Sequence, residues 1–345
     1  MPAVWVFAGH VYEGDMGDTS RPISDVVVSL VGSPNTWPGG VLLDATLTDA
    51  DGAFLLRTEA RIRHLPLFLS GLGKGRHIPS IASKFLRQMV PSVNRPRGAR
   101  KVPMRVGYFI GCANDFIFPH IGQMTIGFLT KHGVEVLVPK GQGCCGAPVW
   151  LGVGDFETGR KLADINTRVF QDVEYIITDC ATCASALKEY PKYLANTPAR
   201  YDVYNGFAAK VRDLTDFLVN VLNLPQLAYE SSAEVKGRKV TWHDPCHAIR
   251  YLGIREQPRA ILKSLPDVEF VEMVRADQCC GMAGAFSLHY YDLSKKIADK
   301  KAETIKESGA DIVATSCPGC MIHLTDTLRR KKMFPKVMNI IELLR

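Results

Sequence analysis

Tyr175-Ile176-Ile177-Thr178-Asp179-Cys180-Ala181-Thr182-Cys183 is a short apolar run that ends on a C-x2-C pair. Asp311-Ile312-Val313-Ala314-Thr315-Ser316-Cys317-Pro318-Gly319-Cys320 repeats the same text near the other end of the chain. Upstream of each pair stand two adjacent cysteines, Cys144-Cys145 and Cys279-Cys280, and before them a single one, Cys112 and Cys246. The ten cysteines of the 345 residues therefore form two copies of one pattern, C-x31-CC-x34-C-x2-C and C-x32-CC-x36-C-x2-C, with none left over. Their neighbours repeat too, Cys144-Cys145-Gly146-Ala147 answering Cys279-Cys280-Gly281-Met282. A fixed internal period marks duplicated structural units, so each unit builds one five-thiolate site.

Around the cysteines, strand and helix patterns alternate. In the first copy, Arg105–Ile110 reads as a strand leading to Cys112, Ile121–His132 as a helix and Val134–Val138 as a strand. The Cys144-Cys145 loop, a helix over Phe156–Phe170 and the strand Tyr175–Thr178 follow. The second copy gives strand Lys239–Trp242 into Cys246, helix Pro258–Leu265, strand Val268–Val271, then the Cys279-Cys280 loop. Helix Leu293–Ser308 and strand Asp311–Ala314 complete it. Such alternation predicts α/β architecture, two tandem Rossmann-like repeats with parallel sheets. Every cysteine falls beyond the carboxyl end of a strand, where open α/β sheets hold their ligands. Cys180 and Cys183 straddle a helix start, whose free N–H groups favour anions.

Disulfides are the first alternative for this many thiols. A chain of this length, 46% hydrophobic, can bury a core without staples. Its first residues also lack the basic and apolar blocks of a secretory signal. Structural zinc is the second, since C-x2-C pairs commonly serve it, yet zinc takes four ligands and each copy supplies five. Soft thiolates in this number favour iron–sulfur clusters.

The double pattern resembles the CCG cysteine-rich domain, found twice in the cysteine-rich subunit of heterodisulfide reductase. It also resembles the iron–sulfur subunits of glycolate oxidase, anaerobic glycerol-3-phosphate dehydrogenase and lactate-utilisation complexes. Gly143-Cys144-Cys145-Gly146-Ala147-Pro148, Gly154-Asp155-Phe156-Glu157 and His243-Asp244-Pro245-Cys246-His247 look most like the glycolate oxidase and glycerol-3-phosphate group. The resemblance, over about residues 58–345, implies two non-cubane 4Fe–4S clusters. One would sit on Cys112, Cys144, Cys145, Cys180 and Cys183, the other on Cys246, Cys279, Cys280, Cys317 and Cys320. The ferredoxin-like domain that begins the full-length glycolate oxidase-type subunits has no counterpart before Cys112.

Four segments are expected. Residues 1–57 carry seven acidic and two basic residues, with strand patterns at Val4–Val11 and Val26–Val31. A further stretch, Ala45–Leu56, alternates about the turn Asp49-Ala50-Asp51-Gly52 and resembles carboxypeptidase-regulatory-like sandwiches. Residues 58–105 carry eleven basic residues and one acidic. They read as a basic helical linker, with helical patterns at Ile62–Leu72 and Pro79–Val90 and a Pro- and Arg-rich tail Asn94–Pro103. A solvated basic face that docks on a partner is favoured over a lipid or nucleic-acid patch, because no aromatics interleave the charges. Residues 106–235 and 236–345 are the two CCG domains. Gly143, Gly146 and Gly281 are expected where the backbone passes close to a bulky group or adopts positive φ. His243 and His247 read as packing beside Cys246 in preference to proton donors or alternative ligands, and Asp179 and Asp244 as capping or hydrogen-bonding residues. A cavity shared by His120 and His289 is the less favoured reading.

No complete nucleotide-binding glycine motif, catalytic triad or phosphate loop is present, and no run of 18 apolar residues. Thiol usage suits the reducing cytoplasm, with room for peripheral contact at the inner face of the membrane. Two function classes remain. One is an electron-transfer subunit that passes electrons between a flavoprotein dehydrogenase and a quinone or other carrier. The other is an oxidoreductase in which paired clusters reduce a disulfide. Partners in either case are other subunits of a redox complex, a flavoprotein or a ferredoxin-like iron–sulfur protein, and not nucleic acid.

Overall fold

The computed structural model describes residues 5–10, 27–31, 42–47, 53–58, 76–77, 79–98, 104–224, 229–284 and 286–345. Two compact units result, Met1–Ser83 and Lys84–Arg345. In the smaller, strands β1 (Trp5–His10) and β4 (Ala53–Thr58) pair antiparallel, as do β2 (Val27–Val31) and β3 (Leu42–Leu47). The strand patterns of the sequence are thus occupied. The two strands flanking Asp49–Gly52 take their ladder partners from elsewhere, β4 from β1 and β3 from β2. The turn itself and the pattern at Ile62–Leu72 lie outside the described residues.

The larger unit holds two sheets. The first contains β5 (Val93–Asn94), β6 (Met104–Tyr108), β7 (Val134–Leu137), β8 (Tyr175–Thr178) and β9 (Val211–Asp213) in the order β5-β7-β6-β8-β9. The second contains β10 (Arg238–Trp242), β11 (Val268–Phe270), β12 (Ile312–Thr315) and β13 (Lys336–Asn339) in the order β11-β10-β12-β13. Apart from β5, which runs antiparallel at an edge, all these pairings are parallel. Numbered within its own repeat, each parallel sheet has the strand order 2-1-3-4. The chain therefore reverses direction between its first and third strands, and the carboxyl ends there open a crevice.

Helices cover the sheets with local signals that the sequence supplies. Pro119 occupies the first turn of Pro119–Lys131, a position where its missing N–H costs nothing. Asp155 accepts the Thr158 N–H at 2.9 Å and caps Phe156–Val169. Gly309, at φ 64°, ends Tyr291–Ser308. The helical pattern at Pro79–Val90 yields only the turn Leu86–Met89, and Asn94, read as linker, joins Val93 in edge strand β5. Burial favours this: Leu86 is fully buried while Met89 is exposed, so Leu86 is the residue of the turn held in the core.

The repeats share a core. One buried apolar cluster includes Val136 and Leu218 of the first together with Trp242 and Ile341 of the second. They also meet at the strand ends, where the Ala181 N–H donates to the Ser316 carbonyl at 3.0 Å. The reciprocal bond is impossible because Pro318, in the position of Ala181, has no N–H. The Asp179 carbonyl accepts instead from Asn339 Nδ2 at 3.4 Å.

Asn339 ends β13, and Asp213 holds the matching place at the end of β9. Each side chain caps the next turn, Asp213 Oδ1 accepting from the Thr215 N–H at 2.8 Å and Asn339 Oδ1 from the Ile341 N–H at 3.1 Å. Asp213 is buried and its Oδ2 has no partner. Burial pushes its pKa up from 3.8 to about 7. A raised carboxyl pKa stabilises the fold at low pH, and that contribution is lost as pH climbs from the unfolded value through the folded one. Asp213→Asn, which copies the second repeat, is expected to lack this loss. Thermal unfolding between pH 5 and pH 8 should show the variant gaining several degrees on the parent as pH rises. Parallel curves would show that Asp213 does not titrate in this range.

Candidate metal centre

The three strand ends of each repeat deliver all of its cysteines to one edge. Cys112 begins the helix Cys112–Phe116 after β6, and Cys246 begins Cys246–Leu252 after β10. Cys144-Cys145 fill the loop between β7 and a π-helical turn, Ala147–Leu151. Cys180 and Cys317 are the N-cap residues of Ala181–Lys188 and Pro318–Arg330, with Cys183 and Cys320 one turn inside. Cys112 is exposed, Cys144, Cys246 and Cys279 are half-buried, and the other six are buried.

Within the first repeat each thiol shifts the ionisation of the next in the order Cys112, Cys144, Cys145, Cys183, Cys180. The second repeats the order as Cys246, Cys279, Cys280, Cys320, Cys317, with Cys280 and Cys320 sulfurs 3.5 Å apart. Cys180 and Cys317 influence each other's ionisation across the interface. Thr182 Oγ1 reaches over from the first repeat to within 3.5 Å of Cys317 Sγ.

Such crowding splits the thiol pKa values. Hydrogen bonds from Cys112 and Cys145 hold Cys144 far below the usual thiol range, and Cys246 and Cys280 do the same for Cys279. The donors are pushed up correspondingly. Backbone donors add to the preference for negative sulfur. Gly146 N–H lies 3.4 Å from Cys144 Sγ, Gly281 N–H 3.3 Å from Cys279 Sγ, and Cys183 N–H 3.4 Å from Cys180 Sγ. Both C-x2-C pairs sit at helix N-termini, where free N–H groups favour anions.

Gly146 and Gly281 have φ of 80° and 94°, as the loops require, whereas Gly143 does not have positive φ. Gly143 is fitted by space: an added Cβ would lie 3.1 Å from Leu162. Asp179 is a hydrogen-bonding residue, its carboxylate accepting from Tyr108 Oη at 2.7 Å, Thr125 Oγ1 at 2.8 Å and Asn114 Nδ2. Burial nevertheless raises its pKa to about 6. Asp244 accepts from Trp242 Nε1 at 2.7 Å and pairs with both terminal nitrogens of Arg259, which also binds Glu272.

Several supporting residues carry no signal in the sequence. Asn166 Nδ2 donates to the Cys144 carbonyl at 2.9 Å, and Tyr190 Oη to the Cys145 carbonyl at 2.9 Å. In the second repeat Ser294 Oγ donates to the Gly281 carbonyl at 2.8 Å, and the buried Lys301 Nζ to the Arg275 and Ala276 carbonyls at 2.9 Å each. Different side chains thus clamp equivalent loops, which is why the cysteine period does not reveal them.

Among the histidines, His247 Nδ1 lies 2.6 Å from Ser185 Oγ across the interface and its ring stacks on Tyr251. His120 is an exposed side chain 3.3 Å from Glu342, and the side chain of His289 lies outside the described residues. His243 is fully buried beside the cysteines, one ring nitrogen and the sulfurs of Cys280 and Cys320 all lying within 4.8 Å of one another. Burial and the nearby Lys301 ammonium push its pKa down to about 3.

Residues 106–188 and 240–325 each match the family described as the cysteine-rich CCG domain. This chain belongs to the CCG cysteine-rich-domain family. It is 35% identical to a subunit of the "Fumarate reductase (CoM/CoB)" of Methanothermobacter marburgensis over 78% of its own length and 50% of that protein. To "Lactate utilization protein A" of Bacillus subtilis it is 33% identical over 70% of its length and 99% of that protein. An uncharacterised iron–sulfur protein of Methanococcus maripaludis is 33% identical over 81% of the chain and 53% of that protein. The chain therefore spans about half the length of two of these relatives and nearly all of the third. A hypothetical protein from Helicobacter pylori has a TM-score of 0.45 at 11% identity, covering 72% of this chain and 49% of that one.

Positive φ and close approach can be separated by experiment. An added Cβ at Gly281 would fall 2.6 Å from the Ser294 carbonyl oxygen, a backbone atom, whereas at Gly154 (φ 77°) it would meet nothing within 4 Å. Gly154→Ala is expected to cost about 1–2 kcal/mol for the left-handed backbone alone. Gly281→Ala should cost measurably more in urea unfolding of the anaerobically prepared protein. Equal costs would mean that the second loop has room to yield.

Proposed function

We propose that this chain is the iron–sulfur electron-transfer subunit of a redox complex, with one multi-iron cluster held in each repeat. The observation that carries the reading is the gathering of all ten cysteines, five to a repeat, beyond the carboxyl ends of two parallel sheets. The residues fit the group. Each repeat gathers five soft donors, one more than tetrahedral zinc takes, and backbone N–H groups are already aimed at them. The ligand sets are Cys112, Cys144, Cys145, Cys180 and Cys183 in a domain over 106–235, and Cys246, Cys279, Cys280, Cys317 and Cys320 in one over 236–345. Bound there, such clusters supply one-electron redox chemistry, and the non-cubane 4Fe–4S form suits more than four thiolates.

This chain's own residues bind, insulate and connect. Gly146 and Gly281 amides and the two helix N-termini offset thiolate charge, while burial of six sulfurs keeps water from them. Thr182 Oγ1, 3.5 Å from Cys317 Sγ, and the Ala181–Ser316 backbone bond bring the two sites to one seam. In this reading electrons enter from a flavoprotein dehydrogenase and leave to a quinone or another carrier. The basic segment 58–105 is the proposed docking surface for a partner subunit. No helix among the described residues is long and apolar enough to cross a membrane, so any contact with a bilayer in this reading is peripheral.

One observation favours a second reading. Likeness to a subunit of a fumarate reductase named for CoM and CoB, together with two sites that approach each other where Thr182 reaches Cys317, suits reduction of a disulfide placed between them. That reaction takes two electrons and two protons and releases two thiols.

Anaerobically purified protein is expected to contain iron and acid-labile sulfide for two clusters, and stoichiometric zinc without sulfide would sink the proposal. Cys145→Ser should abolish the paramagnetic signal of the first site only, and Cys280→Ser that of the second only. Loss of both from either change, with circular dichroism intact, would point to one shared site. With a reduced viologen dye as donor, turnover of quinone but not of small disulfides supports the relay, and the opposite pattern supports the reductase.

A further inference from the structure

We infer that His243 donates a ring N–H to the sulfur of the second five-cysteine site and thereby gives that centre a higher reduction potential than the first. This rests on the iron–sulfur reading above and adds to it an inequality between two sites whose cysteine patterns are nearly the same.

Backbone register shows that the two repeats are compared at the right position. The His243 N–H donates to the Ala314 carbonyl at 2.9 Å, three residues before Cys317. In the first repeat the Phe109 N–H donates to the Ile177 carbonyl at 2.8 Å, three residues before Cys180. His243 and Phe109 therefore occupy one structural place, three residues ahead of Cys246 and Cys112. Both are fully buried. Phenylalanine asks nothing of such a place. Histidine asks for two hydrogen-bond partners, and among the described residues neither Nδ1 nor Nε2 of His243 makes a well-formed hydrogen bond, the Ala276 carbonyl being the backbone acceptor nearest the ring.

Leaving buried polar atoms unpaired is costly, so the ring N–H calls for an acceptor of its own. The backbone beside it offers little. The Ala276 carbonyl, near the ring, already accepts from the Asp244 N–H at 3.0 Å and from Lys301 Nζ at 2.9 Å. What remains within reach is sulfur, because a ring nitrogen and the sulfurs of Cys280 and Cys320 all fall within 4.8 Å of one another. Metal-bound thiolate or cluster sulfide there would accept the N–H and satisfy it. A hydrogen bond to cluster sulfur stabilises the reduced, more negative state and raises the potential. The first site has the apolar Phe109 at this point, so electrons shared between the two centres would rest on the second.

The test uses the full chain, purified anaerobically, with signals assigned through Cys145→Ser and Cys280→Ser. Paramagnetic resonance followed through a redox titration gives the midpoint of each centre. His243→Phe is expected to lower the second midpoint by about 59 mV, a tenfold change in its reduced-to-oxidised ratio for a one-electron couple, with the first unchanged. His243→Gln, which keeps an N–H donor, should recover most of the difference, and Phe109→His should raise the first midpoint. An unshifted second midpoint in His243→Phe, with both clusters present, overturns the inference. Should that variant lose its second cluster, the parent protein decides by electron–nuclear double resonance after exchange into heavy water. An exchangeable proton coupled to the second centre and missing from the first supports the donor role. Its absence, or a nitrogen coupling strong enough for direct iron ligation, overturns it. Parent protein without iron and sulfide would instead remove the iron–sulfur reading itself, a failure that elemental analysis distinguishes from the others.

Discussion

Ten thiols are gathered at the strand ends, Cys144, Cys279 and Cys317 are drawn toward the thiolate form, and the larger unit is organised to supply the donors that negative sulfur needs. Parallel strands are the device. Strand order 2-1-3-4 brings three strand ends to one crevice in each repeat, and the helices that follow present their N-terminal N–H groups there. An antiparallel arrangement would alternate carboxyl and amino ends along the edge and disperse both the cysteines and the helix termini. The glycine amides at 146 and 281 complete the same electrostatic provision from the loops.

Duplication makes the departures from symmetry informative. Pro318 stands where Ala181 donates a backbone bond, and Asn339 supplies the missing donor from a neighbouring strand. Asn339 has Asp213 as its counterpart, and the carboxylate there is left with an unpaired oxygen. The paired-cysteine loops are clamped by Asn166 and Tyr190 on one side and by Ser294 and Lys301 on the other. The cysteines themselves differ only by one or two residues in spacing. Backbone and sulfur positions are thus held in common while the polar surroundings have diverged, which is the combination needed to make two similar centres with different properties.

The sequence made the cysteine frame legible because thiols are few, chemically distinctive and spaced by whole secondary-structure units. The three main strands of each repeat were legible as well, since Val106, Ile176–Ile177, Val240 and Ile312–Val313 are buried in short apolar runs bounded by cysteine or glycine. The fourth strands were not. Val211–Asp213 has three residues and its burial comes from tertiary packing, and Lys336–Asn339 begins directly after Pro335 in a lysine-rich stretch. Nor were the helices at Cys112 and Cys246, because each is one or two turns long and begins on the cysteine itself. Pro79–Val90 misled by having helical spacing without enough burial to sustain more than one turn. His243 carried the subtlest ambiguity. A histidine beside a cysteine reads as packing, ahead of proton donor or ligand, until the structure shows its ring nitrogens without a well-formed hydrogen bond among the described residues.

The seam between the repeats ties these features together. Cys180 and Cys317 are helix N-caps there, the Ala181 N–H donates to the Ser316 carbonyl, and Thr182 Oγ1 lies 3.5 Å from Cys317 Sγ. A shift that separated the repeats would break that backbone bond and open the shared apolar core, so the two proposed sites would keep a fixed separation. Rigidity suits electron transfer, which needs fixed distances and little rearrangement on change of charge. It also places the burden of control elsewhere, on the polar groups that face each sulfur set. That is where the two repeats differ.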